Sequence, residues 1–334
     1  MTAPLDRIAA LPRQPLAILP SPLTPVPALA AALGLPALWI KRDELLGFGF
    51  GGNKVRGLEL LLADARASGA DVVVTGAGPQ SNHVRATAAA AAFAGLDAVA
   101  VFSGSEPAGA TGNLALTRLL GARAQFTGDP DRASVDREIL ATADRLRAEG
   151  RRPYAIPRGG ACARGVLAHV LAVAELDAQC RAAGIAPATV VLAVGSGGTL
   201  AGWLLGSQLI GARWRIEGVT VSRSADEARR RVGELAGEAA ALAGVAWRPD
   251  QAGLVIHDGY LGDGYGVPTA AGGQAIRRVA RQAGIFLDPT YTGKAFAGLI
   301  DLCRGGRIAG PAVFLHTGGE PALFSTAEPV GQGA

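Results

Sequence analysis

Lysine is rare in this chain of 334 residues: of 32 basic residues only Lys41, Lys54 and Lys294 are lysines, and arginine serves elsewhere. Lys54 stands in GFGFGGNKVRG (47–57), behind Gly51, Gly52 and Asn53, where an apolar periodicity of helical spacing begins. The positive end of a helix dipole disfavours an ammonium, and burial disfavours it further. An amine so placed is easily deprotonated, and the neutral amine is the form that makes a Schiff base. A solvated lysine in the first turn is the bland alternative, but cations prefer the other helix end.

Two further stretches carry chemistry. In GAGPQSNHVRATAAAAA, Gln80, Ser81, Asn82 and His83 put four hydrogen-bonding side chains before an alanine-rich helix. Capping explains one of them, whereas a helix start dressed with all four suits a carboxylate. In VVLAVGSGGTLAG, residues Gly195, Ser196, Gly197, Gly198 and Thr199 form a strand–glycine–helix turn whose amides can cradle an anion. A dinucleotide fingerprint would need glycine where Leu200 stands, and no GK[ST] follows, so a single phosphate fits better. An ordinary tight turn explains the glycines equally well. Taken together, an activated lysine, a carboxylate cradle and a phosphate cradle suggest pyridoxal phosphate chemistry on an amino acid.

These groups need elements to position them. The proline-rich opening LPRQPLAILPSPLTPVPAL reads as an extended, ordered arm. LWIKRDELL reads as a short strand, followed after the glycines by a helix over NKVRGLELLLADARASG. Strand-like runs DVVVTGAG, DAVAVFSG, ARAQFTG and YAIPRGG then alternate with helical segments, and a second series follows in TVVLAVGSGGT, RIEGVTVS, GLVIHDG and PAVFLHTGG. Such alternation predicts an α/β fold of two lobes, each with an open, mostly parallel sheet flanked by helices. Ligands bind at the carboxyl ends of such strands, so Gly76–Gly78, Gly159–Gly160, Gly195–Gly198 and Gly318–Gly319 mark the cleft.

Composition narrows the classes. With 49% hydrophobic and 18% charged residues a large core is expected and disorder is not. The formal charge of +4 and pI of about 9.2 are basic, yet arginines are dispersed among acids, which argues against nucleic-acid binding. No signal pattern or membrane span is read, so a cytoplasmic protein is expected. Cys162, Cys180 and Cys303, like the four histidines, lack metal-ligand spacing, and no metal is implied.

From about Pro20 to Leu323 the chain resembles the D-cysteine desulfhydrase and 1-aminocyclopropane-1-carboxylate deaminase family of fold-type-II pyridoxal phosphate enzymes. These are related in fold to the tryptophan synthase β subunit. The likeness rests on KRDE..GF.FGGNKVR, QSNHVR, GSGGT, DPTYTGKA and HTGG, in that order. It implies pyridoxal 5'-phosphate bound through Lys54, which also moves the substrate's Cα proton. It implies that Asn82 holds the cofactor's phenolic oxygen, Ser81 and His83 the substrate carboxylate, Gly195–Thr199 the phosphate, and that Tyr265 and Tyr291 line the substrate side. A large cofactor-binding domain of residues 1–50 and 162–334, a small domain of 51–161, an active site between the lobes and a homodimer are the corresponding expectations.

Thr292 and Thr317 stand where the desulfhydrases resembled here have threonine and the cyclopropane deaminases have glutamate and leucine. A hydroxyl bonds a pyridine nitrogen without keeping it protonated, which favours β-elimination over ring opening. D-cysteine desulfhydration to pyruvate, hydrogen sulfide and ammonia is therefore expected. Arg158, beside the Gly159–Gly160 strand end, and His169 depart from that pattern, as do Ala161 and Cys162. An arginine there can meet a second anion, which makes an L-cysteate sulfo-lyase the alternative, with Arg158 pairing to an acid as the plainer explanation. A cofactor- or amino-acid-binding protein without turnover is the alternative outside enzymes.

Overall fold

The computed structural model describes residues 3–249 and 253–325. Among the described residues, ten strands alternate with eleven α-helices. The strands are β1 (Leu23–Pro25), β2 (Leu38–Arg42), β3 (Val72–Ala77), β4 (Asp97–Phe102), β5 (Arg123–Phe126), β6 (Pro153–Ala155), β7 (Thr189–Val194), β8 (Arg215–Thr220), β9 (Val255–His257) and β10 (Ala312–His316). Their helices are α1 (Pro4–Ala9), α2 (Pro27–Ala32), α3 (Lys54–Ala67), α4 (Asn82–Ala94), α5 (Gly112–Leu119), α6 (Arg132–Ala148), α7 (Ala163–Ala183), α8 (Gly198–Ile210), α9 (Ala225–Ala243), α10 (Ala270–Ala283) and α11 (Thr292–Arg304).

Two sheets result. One has six strands in the order β1-β2-β10-β7-β8-β9, antiparallel only at the β1 edge, and the other four parallel strands in the order β5-β4-β3-β6. Strands β3 and β7 are buried along their whole length, which is why VVVTGA and TVVLAV read as continuous apolar runs. The division at residues 50/51 and 161/162 is retained as a proposal; strands β3–β6 fall inside 51–161 and the others outside. The proline-rich arm is less uniformly extended than expected. It contributes edge strand β1 and turns helical from Pro27, because proline is tolerated in a helix's first turn. No helix among the described residues is long and apolar enough to cross a membrane.

A buried ionic network ties three elements to the arm. Arg56, on α3, donates to both oxygens of Asp43 at 2.7 and 2.9 Å and to both oxygens of Glu175, on α7, at 2.9 and 3.0 Å. Lys41, on β2, pairs with the same Glu175 and donates to the Ser21 carbonyl at 2.6 Å and to Gln179 at 2.8 Å. The Ser21 hydroxyl completes it on Asp43 at 2.7 Å. Burial would raise the Asp43 pKa, but the Arg56 guanidinium against it holds the carboxyl below its ordinary value. Two cations face two carboxylates, so removing one leaves a buried charge uncompensated. Asp43→Ala is expected to cost about 3–5 kcal/mol, read from urea denaturation; an unchanged midpoint would make the network incidental.

Candidate active site

Between the sheets, at the carboxyl ends of β3, β7 and β10, lies a pocket lined by Lys54, Ser81, Asn82, Tyr265, Tyr291 and Thr317 among others. Lys54 is the first residue of α3, as its glycines suggested. Gly51 has φ +61°, and a Cβ there would stand 1.9 Å from the Glu44 carbonyl oxygen. Only glycine lets the chain pass here, and two residues on it reaches the 317–319 turn: the Asn53 amide donates to the Thr317 carbonyl at 3.1 Å. The Lys54 amine donates to the Gly159 carbonyl at 2.9 Å, and no ion pair to it is found among the described residues. Burial lowers its pKa to about 8, so a substantial neutral fraction exists near neutrality.

Ser81 caps α4, its Oγ accepting from the Val84 amide at 3.3 Å, which leaves the hydroxyl hydrogen for the pocket. The Asn82 Oδ1 accepts from Asn113, on α5, at 2.8 Å, so its amide nitrogen is the end turned to act as a donor. Asn113 was not singled out in the sequence, because nothing local links it to a segment 31 residues away.

His83 requires a correction. The Thr75 hydroxyl gives its one hydrogen to the Ile156 carbonyl at 3.0 Å and so can only accept from His83 Nε2, also at 3.0 Å. Burial lowers the ring's pKa to about 3, so it is neutral and its Nδ1, beside Gly160, is an acceptor. That ring has no N–H to offer a carboxylate. The main-chain amides of residues 82 and 83, in the first turn of α4, have no partner within the helix and are free to donate there. His169 is likewise buried, its pKa lowered to about 3, with Nδ1 unpartnered in a small space it shares with Lys54 and His83.

The Gly195–Thr199 turn joins β7 to α8, with Gly197 at φ +95°. Asn53, a second residue not singled out, donates to the Thr199 hydroxyl at 2.7 Å and so directs that hydroxyl's hydrogen toward the turn. Leu200, which stands where a dinucleotide fingerprint has glycine, is buried in the core.

Tyr265 and Tyr291 share a short hydrogen bond, and burial raises both phenols above their ordinary value. Thr317 lines the pocket, but Thr292 does not. The Thr292 hydroxyl is fully buried against Asp288, donating to its carboxylate and accepting from its amide at 2.7 Å, where it helps cap α11. The expected contact from residue 292 to a cofactor is therefore withdrawn. Arg158 lines the pocket and is also paired with Asp136 at 2.7 Å. Arg132 was missed: it opens α6 and lies 4.3 Å over the Tyr265 ring. Its signal was the one used for Lys54, a cation in a helix's first turn.

Among the described residues, Glu44, His316 and Glu320 form the one cluster with metal-ligand proximity. Both nitrogens of His316 are engaged, Nε2 with the Phe286 carbonyl at 2.8 Å and Nδ1 with the Gly318 amide at 3.2 Å.

The donor set suits pyridoxal phosphate: an amine free of carboxylates, an amide nitrogen, a hydroxyl, and a glycine turn at a helix start for the phosphate. Residues 15–318 match the model of the pyridoxal-phosphate-dependent enzyme family, and the chain belongs to that family. A D-cysteine desulfhydrase of Salmonella choleraesuis is 41% identical, covering 96% of this chain and 98% of its own. A Pyrococcus abyssi relative, named provisionally as a 1-aminocyclopropane-1-carboxylate deaminase, is 38% identical over 92% of each chain. The solved structure of an ACC deaminase homologue superposes with TM-score 0.89 at 38% identity over 97% of both chains. The processed threonine deaminase isoform 2 of Solanum lycopersicum, at TM-score 0.69 and 20% identity over 95% of this chain and 83% of its own, shares the fold. The α/β, two-sheet fold type II expected from the sequence is thus the fold found.

Two outcomes are expected. Since only neutral Lys54 reacts with an aldehyde, cofactor uptake by apo-protein should rise with pH through about 8 and level off above it, followed by visible absorbance. Asn113→Leu should weaken cofactor affinity about tenfold by freeing the Asn82 amide, with circular dichroism unchanged.

Proposed function

We propose that the chain is a β-eliminating lyase that converts D-cysteine to pyruvate, hydrogen sulfide and ammonia. The observation that carries the reading is that, among the described residues, no aspartate or glutamate lines the pocket, while Thr317 does. A ring nitrogen facing a hydroxyl and not a carboxylate makes a modest electron sink, which serves elimination better than cyclopropane opening. The relative named D-cysteine desulfhydrase supports the same choice.

In this proposal Lys54 anchors the cofactor, Asn82 donates to its phenolic oxygen, Gly195–Thr199 hold its phosphate and Thr317 meets its ring nitrogen. Bound there, pyridoxal phosphate supplies the sink that acidifies the substrate's Cα–H. The Ser81 hydroxyl and the first amides of α4 hold the substrate carboxylate, aided by the positive end of that helix. Lys54 Nζ, largely neutral above about pH 8, takes the Cα proton. One phenolic hydrogen of the Tyr265–Tyr291 pair is spent between them, leaving the other for the departing sulfur. The thiolate leaves Cβ as the Cα–H electrons form the Cα–Cβ double bond; water then releases ammonia and pyruvate. A homodimer and a cytoplasmic location belong to this proposal as expectations from the resemblance.

Elimination of sulfite from L-cysteate is the second reading, favoured by Arg132 and Arg158 in the pocket wall. It ranks second because Asp136 already neutralises Arg158. Pyruvate release from D-cysteine and L-cysteate should favour D-cysteine, and Lys54→Ala should lower it about a thousandfold or more. A preference for L-cysteate would move the assignment to the second reading, and turnover of neither would overturn both and turn the search to other substrates, 1-aminocyclopropane-1-carboxylate first.

A further inference from the structure

Beside the pocket lies a second cavity of about 400 Å³, walled by Arg132, Arg158, Arg223 and Arg231, with Asp136 as the one acid in its lining among the described residues. The four arginines come from distant places: the first turn of α6, the turn before α7, the segment after β8, and α9. Arg132, Arg158 and Ser196 line both cavities, so the second is a side chamber of the first.

The charges are only partly answered. Arg158 is bound to Asp136 at 2.7 Å. Arg223 has Glu227 at 3.6 Å and Arg231 has Glu234 at 3.3 Å, and both glutamates are more than half exposed, outside the lining. Arg231 also donates to the Ala161 carbonyl at 3.2 Å. Arg132 donates to the Ser222 carbonyl at 3.2 Å and covers Tyr265; no carboxylate pairs with it among the described residues. The Arg223 side chain is 13% exposed, and its Nε is buried with no partner. Burial, and then Arg132, Arg158 and Arg231 nearby, hold its pKa below the ordinary value despite Glu227. Like charges are brought together in this way where an anion is to be held.

We infer that this chamber is an oxyanion-binding site, taking a sulfate, phosphate or sulfonate group on the guanidiniums of Arg132, Arg158, Arg223 and Arg231. The planar guanidinium matches such oxygens two at a time, which a lysine does not. The group reaches the chamber either as a free inorganic anion or on the side chain of a substrate bound in the adjoining pocket. The site is independent of the choice of D-cysteine as substrate.

Calorimetric titration of the holoenzyme with sodium sulfate and sodium phosphate, at constant ionic strength in chloride, tests the free form. One site per chain is expected, weakened about tenfold or more in Arg223→Gln and in Arg231→Gln, neither of which lines the catalytic pocket. The second form is tested by pyruvate release from serine O-sulfate and serine O-phosphate, whose kcat/KM should fall by the same factor in both variants while that for D-cysteine does not. A response in either arm supports the site and names its source. If neither responds, in variants with wild-type thermal midpoints, the inference is overturned. Binding seen only in apo-protein and lost on cofactor loading would also overturn it, since the anion would then be occupying the cofactor's phosphate turn.

Discussion

The Arg56 guanidinium, held by two carboxylates in the interior, is the contact on which the catalytic geometry depends. Arg56 follows Lys54 by two residues on α3, and two residues turn a helix by about 200°. Fixing Arg56 against Asp43 and Glu175 therefore sends Lys54 to the opposite side, into the cleft. An apolar residue at 56 would bury at least as favourably, because paired charges recover little beyond their desolvation. What the pairs add is a unique rotational setting for α3, locked simultaneously to the turn after β2, to α7 and to the N-terminal arm.

The same economy explains the rarity of lysine. Lys41 and Lys294 are both fully buried and both have their donors engaged: Lys41 by Ser21, Gln179 and the Glu175 carboxylate, Lys294 by the carbonyls of Leu261 and Gly264 just ahead of Tyr265. Lys54 has one carbonyl, Gly159, and no acid. It also sits where helices α3, α4, α6, α8 and α11 all begin, at a convergence of partial positive charge. A cation is disfavoured there and anions are favoured. One arrangement thus makes the amine more easily neutral and the surroundings receptive to a phosphate and a carboxylate. The Asp288 carboxylate accepts from the amides of Thr290, Tyr291 and Thr292 and from the Thr292 hydroxyl, so it caps α11 and does not line the pocket.

Much of this was legible in the sequence wherever the cause is local. The strands of both sheets, edge strand β1 excepted, were readable from their apolar runs, and the setting of Lys54 from the glycines before it and the helix after it. Less legible were roles set by contacts across the fold. The His83 ring is assigned as an Nε2 donor by Thr75 and Ile156, which no neighbouring residue announces. Thr292 is turned inward by Asp288 within a single turn, but its motif reads equally well with the hydroxyl outward. Asn113 and Asn53 matter only through the side chains they orient, Asn82 and Thr199. The proline-rich arm shows the opposite limit, since proline forbids a helix interior but not a helix start, and α2 uses that permission.

Arg132 links the local and distant causes. Placed at the start of α6 it gains nothing from the helix dipole, and its guanidinium turns to the Tyr265 face, which accepts a cation without neutralising it. Tyr265 in turn bonds Tyr291, the residue immediately before α11. A charge from the small sheet's side of the cleft is thereby seated on one phenol from the large sheet's side, which is itself bonded to a second. Its positive field favours an ionised phenol and opposes the burial that keeps both protonated. The balance lies with burial, which keeps this wall of the pocket protonated and therefore a hydrogen-bond donor.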